Sequence, residues 1–410
     1  MKPINAPQTI AIAQELGTPT WTYNAATIRQ RIGQLKAFDT IRFAQKANSN
    51  IHILKLMREQ GVKVDSVSLG EIERAIAAGF ATGADADDIV FTADLLDRAT
   101  LARVVELDIQ VNCGSPQMLE QLGEAHPGHR VWLRINPGFG HGHSQKTNTG
   151  GEQSKHGIWH TQLPEALALI EKYQLDLVGL HMHIGSGVDY RHLQDVCAAM
   201  VAQVKQSGRD IRAISAGGGL SIPYQVGGEP IDTAHYFHLW DAARQEIAAF
   251  LGHPVHLEIE PGRFLVAESG QLITEVRAKK DVGSNHFVLV DAGFSDLMRP
   301  AMYGSYHEIS VLRADGTLAD GALRATVLAG PLCESGDVFT QAEGGVVEPR
   351  LLPSAQIGDW VVFHDTGAYG ASMSSNYNTR PLIAEVLIDG DAIRQIRRRQ
   401  TVAELLALEL

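Results

Sequence analysis

The stretch "IRFAQKANSNIHILKLMREQG", residues 41–61, decides the fold because it joins a strand to a helix. Its first half is apolar enough for a buried strand and runs into Lys46, after which Asn48 or Ser49 is expected to cap a helix. Gly61 supplies the stop signal of that helix. A lysine at a strand end is most often a solvated residue, so its function depends on what the rest of the chain places beside it.

The same order of a β-rich run and a helical pattern recurs until about residue 262. Eight such runs follow one another: "IRFAQKA" (41–47), "KVDSVS" (63–68), "DIVFTA" (88–93), "IQVNC" (109–113), "RVWLRINP" (130–137), "LVGLHMHIG" (177–185), "AISAGGG" (213–219) and "PVHLEIEPG" (254–262). This α/β alternation predicts a (β/α)8 TIM barrel, in which functional residues gather at the carboxyl ends of the strands. Lys46 stands at such an end.

After residue 270 the pattern changes to strands without intervening helices. Turn signals such as Asp389-Gly390 separate these strands, which favours a C-terminal antiparallel β domain. We therefore predict a barrel over residues 26–270 and a β domain over residues 271–410. The N-terminal residues 1–25 contain "TPTWTY" and are expected to add a strand to the β domain.

Bulk composition limits the classes of function. Hydrophobic residues make up 44% of the chain and charged residues 20%, as in a folded globular protein, and no apolar run is long enough for a membrane helix. The net charge of −12 argues against a nucleic-acid or anionic-membrane partner. Three cysteines without metal-like spacing fit a reducing compartment, so we expect a cytoplasmic protein.

One long insertion, "GFGHGHSQKTNTGGEQSKHG" (138–157), interrupts the barrel pattern. A loop of this length is usually functional or disordered. His141 and His143 within it allow a metal site, but an active-site flap is the better interpretation.

Strands seven and eight end in glycine-rich turns. Gly217-Gly218-Gly219 follows the seventh strand, and Glu260-Pro261-Gly262-Arg263 follows the eighth. Barrels commonly bind phosphate in these two loops, where glycine backbone N–H groups approach the oxygens and an arginine adds charged donors. A phosphate site and Lys46 on one rim suggest pyridoxal 5′-phosphate held covalently by the lysine, with Glu260 at its pyridine nitrogen.

The sequence "HMHIGSG" offers a second interpretation. His181 and His183 are two residues apart, so a strand would place them on one face, and such a pair can ligate zinc in a metal-dependent hydrolase. No Asp ends the eighth strand to complete a zinc site, so no metal is expected. We prefer His183 as a ring stacked on the cofactor and Ser186 as a phosphate donor, with His181 a hydrogen-bonded core residue.

Eight motifs together resemble the pyridoxal-phosphate decarboxylases of the alanine-racemase-like fold (fold type III), the group that includes ornithine and arginine decarboxylases. The motifs span residues 41 to 381 in the order of that family: "FAQKANSN", "VDSVSLGEIERA", "GLHMHIGSG", "SAGGGLSIPY", "EPGRFLVA", "RPAMYGSYH", "GPLCESGDVF" and "GAYGASMSSNYNTRP". The resemblance covers nearly the whole chain.

The resemblance implies a set of site residues. Lys46 and His183 would be catalytic, and the remaining cofactor contacts would come from Ser186, Gly218, Gly219, Glu260, Gly262, Arg263 and Tyr369. Cys333 and Glu334 would cross a homodimer interface and complete the partner's active site. Substrate contacts would come from Arg263, Arg299, Tyr303, Glu334 and Tyr369.

The segment from Arg299 to Tyr303 resembles the element that holds a distal substrate carboxylate. The resemblance therefore implies decarboxylation of meso-2,6-diaminopimelate to L-lysine and carbon dioxide, the last step of lysine biosynthesis, with Cys333 or Lys46 returning a proton to Cα. Three alternatives remain at this point: a related decarboxylase of another basic amino acid or a carboxylated polyamine, a non-catalytic regulator that binds the cofactor, and the metal-dependent hydrolase.

Overall fold

The computed structural model describes residues 2–140, 149–183, 185, 187 and 189–409. The chain forms two compact units. The barrel unit comprises Gln30–Ser221 and Ile231–Leu265, and the sheet unit comprises Met1–Arg29, Ile222–Pro230 and Val266–Leu410. The domain boundaries given above stay a prediction.

Three elements precede the barrel: α1 (Ala6–Leu16), β1 (Thr20–Asn24) and α2 (Ala25–Gly33). The barrel unit then alternates strands and helices: β2 (Thr40–Ala44), α3 (Ile51–Glu59), β3 (Lys63–Ser66), α4 (Leu69–Ala78), β4 (Ile89–Ala93), α5 (Arg98–Glu106), β5 (Gln110–Cys113), α6 (Pro116–Ala125), β6 (Arg130–Asn136), β7 (Ile158–Trp159), α7 (Leu163–Tyr173), β8 (Asp176–His181), α8 (Tyr190–Ser207), β9 (Ala213–Ser215), α9 (Thr233–Leu251), β10 (His256–Ile259) and α10 (Arg263–Val266).

Eight parallel strands of this unit close into a barrel. Their order is β5-β4-β3-β2-β10-β9-β8-β6, and a pairing between β5 and β6 closes the ring, while the short β7 pairs with β6 outside it. A buried, bidentate ion pair joins β2 to β10, because Arg42 donates to Glu258 over 2.6 Å and 3.0 Å. The predicted barrel is confirmed.

The sheet unit contains the remaining elements: β11 (Gly270–Val282), β12 (Asn285–Val290), α11 (Arg299–Tyr303), β13 (Ile309–Leu312), β14 (Leu323–Ala329), β15 (Arg350–Pro353), β16 (Trp360–His364), β17 (Ala384–Asp389), β18 (Ala392–Arg397) and α12 (Val402–Leu406). The expected N-terminal strand is present as β1, which pairs with both β11 and β17. Two pairings, β1 with β17 and β12 with β14, are parallel, so the sheet is mixed and not purely antiparallel as the turn signals suggested. Neither pairing is set by a hairpin: β1 comes from the other end of the chain, and a long connection through α11 and β13 separates β12 from β14.

The end of β2 and the start of the following helix differ from the sequence prediction. β2 ends at Ala44, and residues 45–47 form a 3₁₀ turn, so α3 starts later than expected. Its N-cap is Asn50, whose Oδ1 accepts from the backbone N–H of His52 at 3.0 Å, and not Asn48 or Ser49.

Among the described helices, none combines the length and apolar composition that a membrane crossing requires.

Candidate active site

Lys46 lies just beyond β2, in the 3₁₀ turn of Gln45–Ala47. Its two neighbours in that turn are buried, whereas its own side chain is exposed. The positive charge of Lys46 acts on the carboxyl groups of Asp65 and Glu71 and on the imidazole of His183. The lysine at the strand end is therefore part of a group of interacting ionisable side chains and not an isolated solvated residue.

The three glycines after β9 form a turn that accepts no side chain. A Cβ on Gly217 would lie 2.4 Å from the carbonyl oxygen of Met182, and one on Gly219 would lie 2.3 Å from that of Gly185. Gly217 and Gly219 also have φ angles of 60° and 103°, which favour glycine. The turn thus places backbone groups without side chains at the rim of the barrel, where a phosphate site requires accessible N–H donors.

His183 lies beyond the end of β8 at His181, so strand alternation does not set its direction. The backbone N–H of Gly218 donates to His183 Nδ1 over 2.9 Å, so the proton of a neutral ring is on Nε2. Burial, Arg134 and Lys46 together hold the pKa of His183 well below its usual range. The ring is therefore a neutral, flat surface at neutral pH, and the N–H of Gly218 is used to orient it.

Glu260 follows β10 directly and is buried. Its Oε2 lies 2.7 Å from Nε2 of His181, so the histidine expected in the core is a hydrogen-bonding partner of the carboxylate. Burial alone would raise the pKa of Glu260, but His181 and Arg134 outweigh burial and leave this pKa below its usual value. Glu260 is consequently ionised at neutral pH.

Asp65 and Arg134 belong to the same group and were missed by the sequence analysis. Burial and the charge of Glu260 raise the pKa of Asp65 well above its usual range, so Asp65 holds a proton where Glu260 does not. Arg134 on β6 is also buried, and its charge acts on Asp65 and Glu260. The available signal was a charged residue inside an apolar strand, in "KVDSVS" and "RVWLRINP".

The remaining barrel residues occupy the turns around β10. A Cβ on Gly262 would lie 3.1 Å from the Cβ of Ala47, so this glycine allows close packing against the turn that carries Lys46. Arg263 begins α10. Ser186, the predicted phosphate donor, lies outside the described residues.

The ends of the long insertion contact the barrel rim. Asn136 holds both ends, because its Oδ1 accepts from Gly138 and Gly151 and its Nδ2 donates to the carbonyls of Gly151 and His156, at 2.9–3.2 Å. The Oγ1 of Thr149 donates to the carbonyl oxygen of His183 over 2.8 Å. His141 and His143 lie outside the described residues, and the flap function stays a prediction.

The other predicted residues belong to the sheet unit. Arg299 is buried at the start of α11, and Tyr303 follows one turn later. Tyr369 adopts a left-handed φ of 57°, which is unusual for an aromatic residue and points to a constrained position. Cys333 and Glu334 are exposed, and the backbone N–H of Cys333 donates to Oδ1 of Asn378 over 3.0 Å.

The barrel rim fits pyridoxal phosphate. It presents a lysine, a turn without side chains, a neutral imidazole and an ionised carboxylate, which are the groups that a phosphorylated pyridine aldehyde needs. Oδ1 of Asp65 and Nδ1 of His181 are buried without a hydrogen-bond partner among the described residues. In the described part of the chain no three His, Cys, Asp or Glu side chains are close enough to hold a metal ion.

Comparison with known proteins agrees with this geometry. Residues 25–267 match the pyridoxal binding domain of the family described as pyridoxal-dependent decarboxylases. The chain therefore belongs to the pyridoxal-dependent decarboxylases, and the resemblance noted in the sequence is confirmed.

The similar proteins that match over nearly the whole chain have a more specific name. The diaminopimelate decarboxylase of Streptomyces coelicolor is 70% identical over 99% of this chain and 92% of its own length. A crystal structure of diaminopimelate decarboxylase is 68% identical, covers 99% of this chain and 96% of that chain, and superposes with a TM-score of 0.97. The Helicobacter pylori enzyme of that name, complexed with L-lysine, is 32% identical with a TM-score of 0.85 and covers 97% of this chain and 98% of that chain.

Proposed function

We propose that this chain uses pyridoxal phosphate to decarboxylate meso-2,6-diaminopimelate to L-lysine and carbon dioxide. The observation that carries the choice of substrate is the buried guanidinium of Arg299, which suits a distal carboxylate and would repel the distal ammonium of ornithine. The names of the full-length relatives support the same substrate, and a homologue of the same name has been seen with L-lysine, the product proposed here.

Different residues have different roles in the proposed reaction. Lys46 would hold the cofactor covalently, and His183 would support the pyridine ring with a neutral face. When bound, the cofactor accepts the electron pair that remains on Cα after the C–C bond to the carboxylate breaks. Glu260, ionised and held by His181, keeps a proton on the pyridine nitrogen. The remaining cofactor contacts would come from Ser186, Gly218, Gly219, Gly262, Arg263 and Tyr369.

The reaction ends when a proton reaches Cα. We assign its delivery to Cys333 or Lys46, with Cys333 and Glu334 of one subunit completing the site of the other in a homodimer. Exposure of both residues supports this arrangement. Arg263, Arg299, Tyr303, Glu334 and Tyr369 would contact the substrate, and the cytoplasmic location stays a prediction.

A substrate panel tests the proposed reaction. The purified holoenzyme should release carbon dioxide from meso-2,6-diaminopimelate and form an equal amount of lysine, with negligible release from ornithine, arginine or lysine. Carbon dioxide is measured together with amino-acid chromatography. A preference for any substrate without a distal carboxylate would contradict the assignment.

Mixed dimers test the shared site. Lys46→Ala and Cys333→Ala should each be inactive, and after subunit exchange about a quarter of wild-type activity should return, because half of the dimers are hybrids with one intact site. If no activity returns although mass spectrometry shows hybrid dimers, Cys333 does not act across the interface.

A further inference from the structure

Arg299 is held by two aromatic residues of the sheet unit, Tyr224 and His307, and we name these three residues the Arg299 cluster. The guanidinium carbon of Arg299 lies 4.6 Å from the ring centroid of Tyr224, and its Nη1 lies 3.0 Å from Nε2 of His307. The rings of Tyr224 and His307 meet edge to face, with centroids 5.4 Å apart and an interplanar angle of 83°. Arg299 and His307 are buried, with exposed fractions of 6% and 1%.

The hydrogen bonds of His307 fix its protonation state. Its Nδ1 lies 2.9 Å from the carbonyl oxygen of His364, which can only accept, so Nδ1 carries a proton. Its Nε2 faces a guanidinium N–H, which can only donate, so Nε2 carries none. His307 is therefore a neutral tautomer whose Nε2 lone pair accepts from Arg299.

The backbone around His307 is also held in place. Arg350 donates from Nη1 to the carbonyl oxygen of His307 over 2.5 Å, and the guanidinium of Arg350 lies over the ring of Tyr306 at 3.9 Å. Gly304 ends α11 with a φ of 61°, and a Cβ there would lie 2.2 Å from the backbone nitrogen of Glu343. The acceptor that meets Arg299 thus has little freedom to move.

We propose that His307 is the positioning residue of Arg299, and that Tyr224 supports it from the face of the guanidinium. This inference rests on the proposed function, in which Arg299 binds the distal carboxylate of the substrate. An arginine loses selectivity when its long side chain can rotate, because the planar donors match a carboxylate only in one orientation. A neutral acceptor on one N–H and a ring beneath the plane set that orientation without cancelling the charge.

Substitutions at His307 separate the acceptor from the ring. His307→Phe keeps an aromatic ring and removes the acceptor, so kcat/KM for diaminopimelate should fall about tenfold or more, chiefly through KM. His307→Gln places an amide oxygen near the former Nε2 and should recover part of that loss. Tyr224→Leu should lower kcat/KM about two- to fivefold, the lower end of the range for cation–π contacts.

A double-mutant cycle provides the decisive measurement. In the Arg299→Leu background His307→Phe should have less than about a twofold further effect, because a positioning residue has nothing left to position. The cofactor absorbance and melting temperature of each holoenzyme are recorded in parallel. His286→Phe is the matched control: His286 is another buried histidine of the sheet unit, bonded to Asp281 at 2.7 Å, and its loss should leave kcat/KM unchanged.

The outcomes distinguish this inference from the proposed function. A wild-type enzyme inactive on diaminopimelate overturns the function, and the inference with it. An active wild type whose kcat/KM survives His307→Phe, or for which His307→Phe and His307→Gln are equally harmful, overturns the inference alone. Equal losses with and without Arg299 also overturn it, since they indicate a general structural role. Should His307→Phe fail to fold, the glutamine and Tyr224→Leu variants carry the same cycle.

Discussion

The rim of the barrel and the Arg299 cluster both bury charged side chains, but they control charge in different ways. At the rim, burial and the charge of Glu260 raise the pKa of Asp65, while His181 and Arg134 outweigh burial and lower the pKa of Glu260. In the Arg299 cluster the cation contacts the ring of Tyr224 and the acceptor nitrogen of a neutral His307. Interacting charges at the rim determine which side chains hold a proton, and catalysis on a cofactor requires this control. The uncharged contacts of Arg299 instead orient its guanidinium for substrate recognition.

This difference predicts that rim substitutions that remove a charged group lower turnover for any substrate, while substitutions around Arg299 mainly change the affinity for the distal carboxylate. Four predictions test the separation in order of decreasing effect.

Lys46→Ala should have the largest effect. No other described side chain is proposed to bind the cofactor covalently, so turnover should fall by at least about 10⁴-fold, the scale of loss of an essential nucleophile. Borohydride reduction followed by intact-mass measurement should show no retained cofactor. Lys55→Ala, at an exposed lysine of α3, is the control and should behave as wild type. Covalently retained cofactor on Lys46→Ala would contradict the assignment.

Glu260→Gln and Asp65→Asn form a matched pair, since each replaces a carboxyl group by an amide of the same shape. Glu260 is ionised, so its replacement should lower kcat about 100-fold or more by removing the charge at the pyridine nitrogen. Asp65 already holds a proton, so its amide should lower kcat less than about tenfold. Steady-state kinetics on the two holoenzymes measure both losses. A larger loss of kcat for Asp65→Asn would show that Asp65, and not Glu260, is the ionised carboxyl group.

The sequence could predict the parts of the rim that follow strands, but not those within them. Lys46 and Glu260 are charged residues directly after apolar runs, and a barrel brings all strand ends to one rim. Asp65 and Arg134 are within strands β3 and β6, where the pattern does not reveal that both side chains interact with Glu260. Their grouping depends on the closed ring and not on spacing along the chain.

The Arg299 cluster shows the same limit more clearly. The motif identified Arg299 as a site residue. Its contacts with Tyr224 and His307 were not predicted, because Tyr224 precedes α9 and His307 follows α11. The contact between Tyr224, His307 and Arg299 joins distant parts of the chain. The local sequences "SIPYQ" and "GSYHE" contain no pattern that predicts a ring packed on a guanidinium or a histidine that accepts from it. A tautomer is defined only by the atoms around it.

Arg299→Leu should have an intermediate effect confined to recognition. Loss of a charged hydrogen-bonding partner typically costs about 1.5–3 kcal/mol, or roughly ten- to 150-fold in kcat/KM. The cofactor absorbance should remain that of the wild type. Arg277→Leu is the matched control, because Arg277 has a side chain that is 61% exposed and pairs with Glu275 at the surface. An unchanged kcat/KM for diaminopimelate would remove Arg299 from substrate binding.

Tyr303→Phe should have the smallest effect of the four predictions. Tyr303 lies four residues after Arg299 in α11, so the two side chains share a face of that helix. Removing one hydroxyl donor typically costs about 0.5–1.5 kcal/mol, which predicts a two- to tenfold rise in KM with little change in kcat. Tyr306→Phe is the control, since its hydroxyl donates to Glu308 at 2.6 Å and is not proposed to contact substrate. If Tyr303→Phe instead lowered kcat with KM unchanged, Tyr303 would act in the chemical step, and the sheet unit would contribute more than recognition.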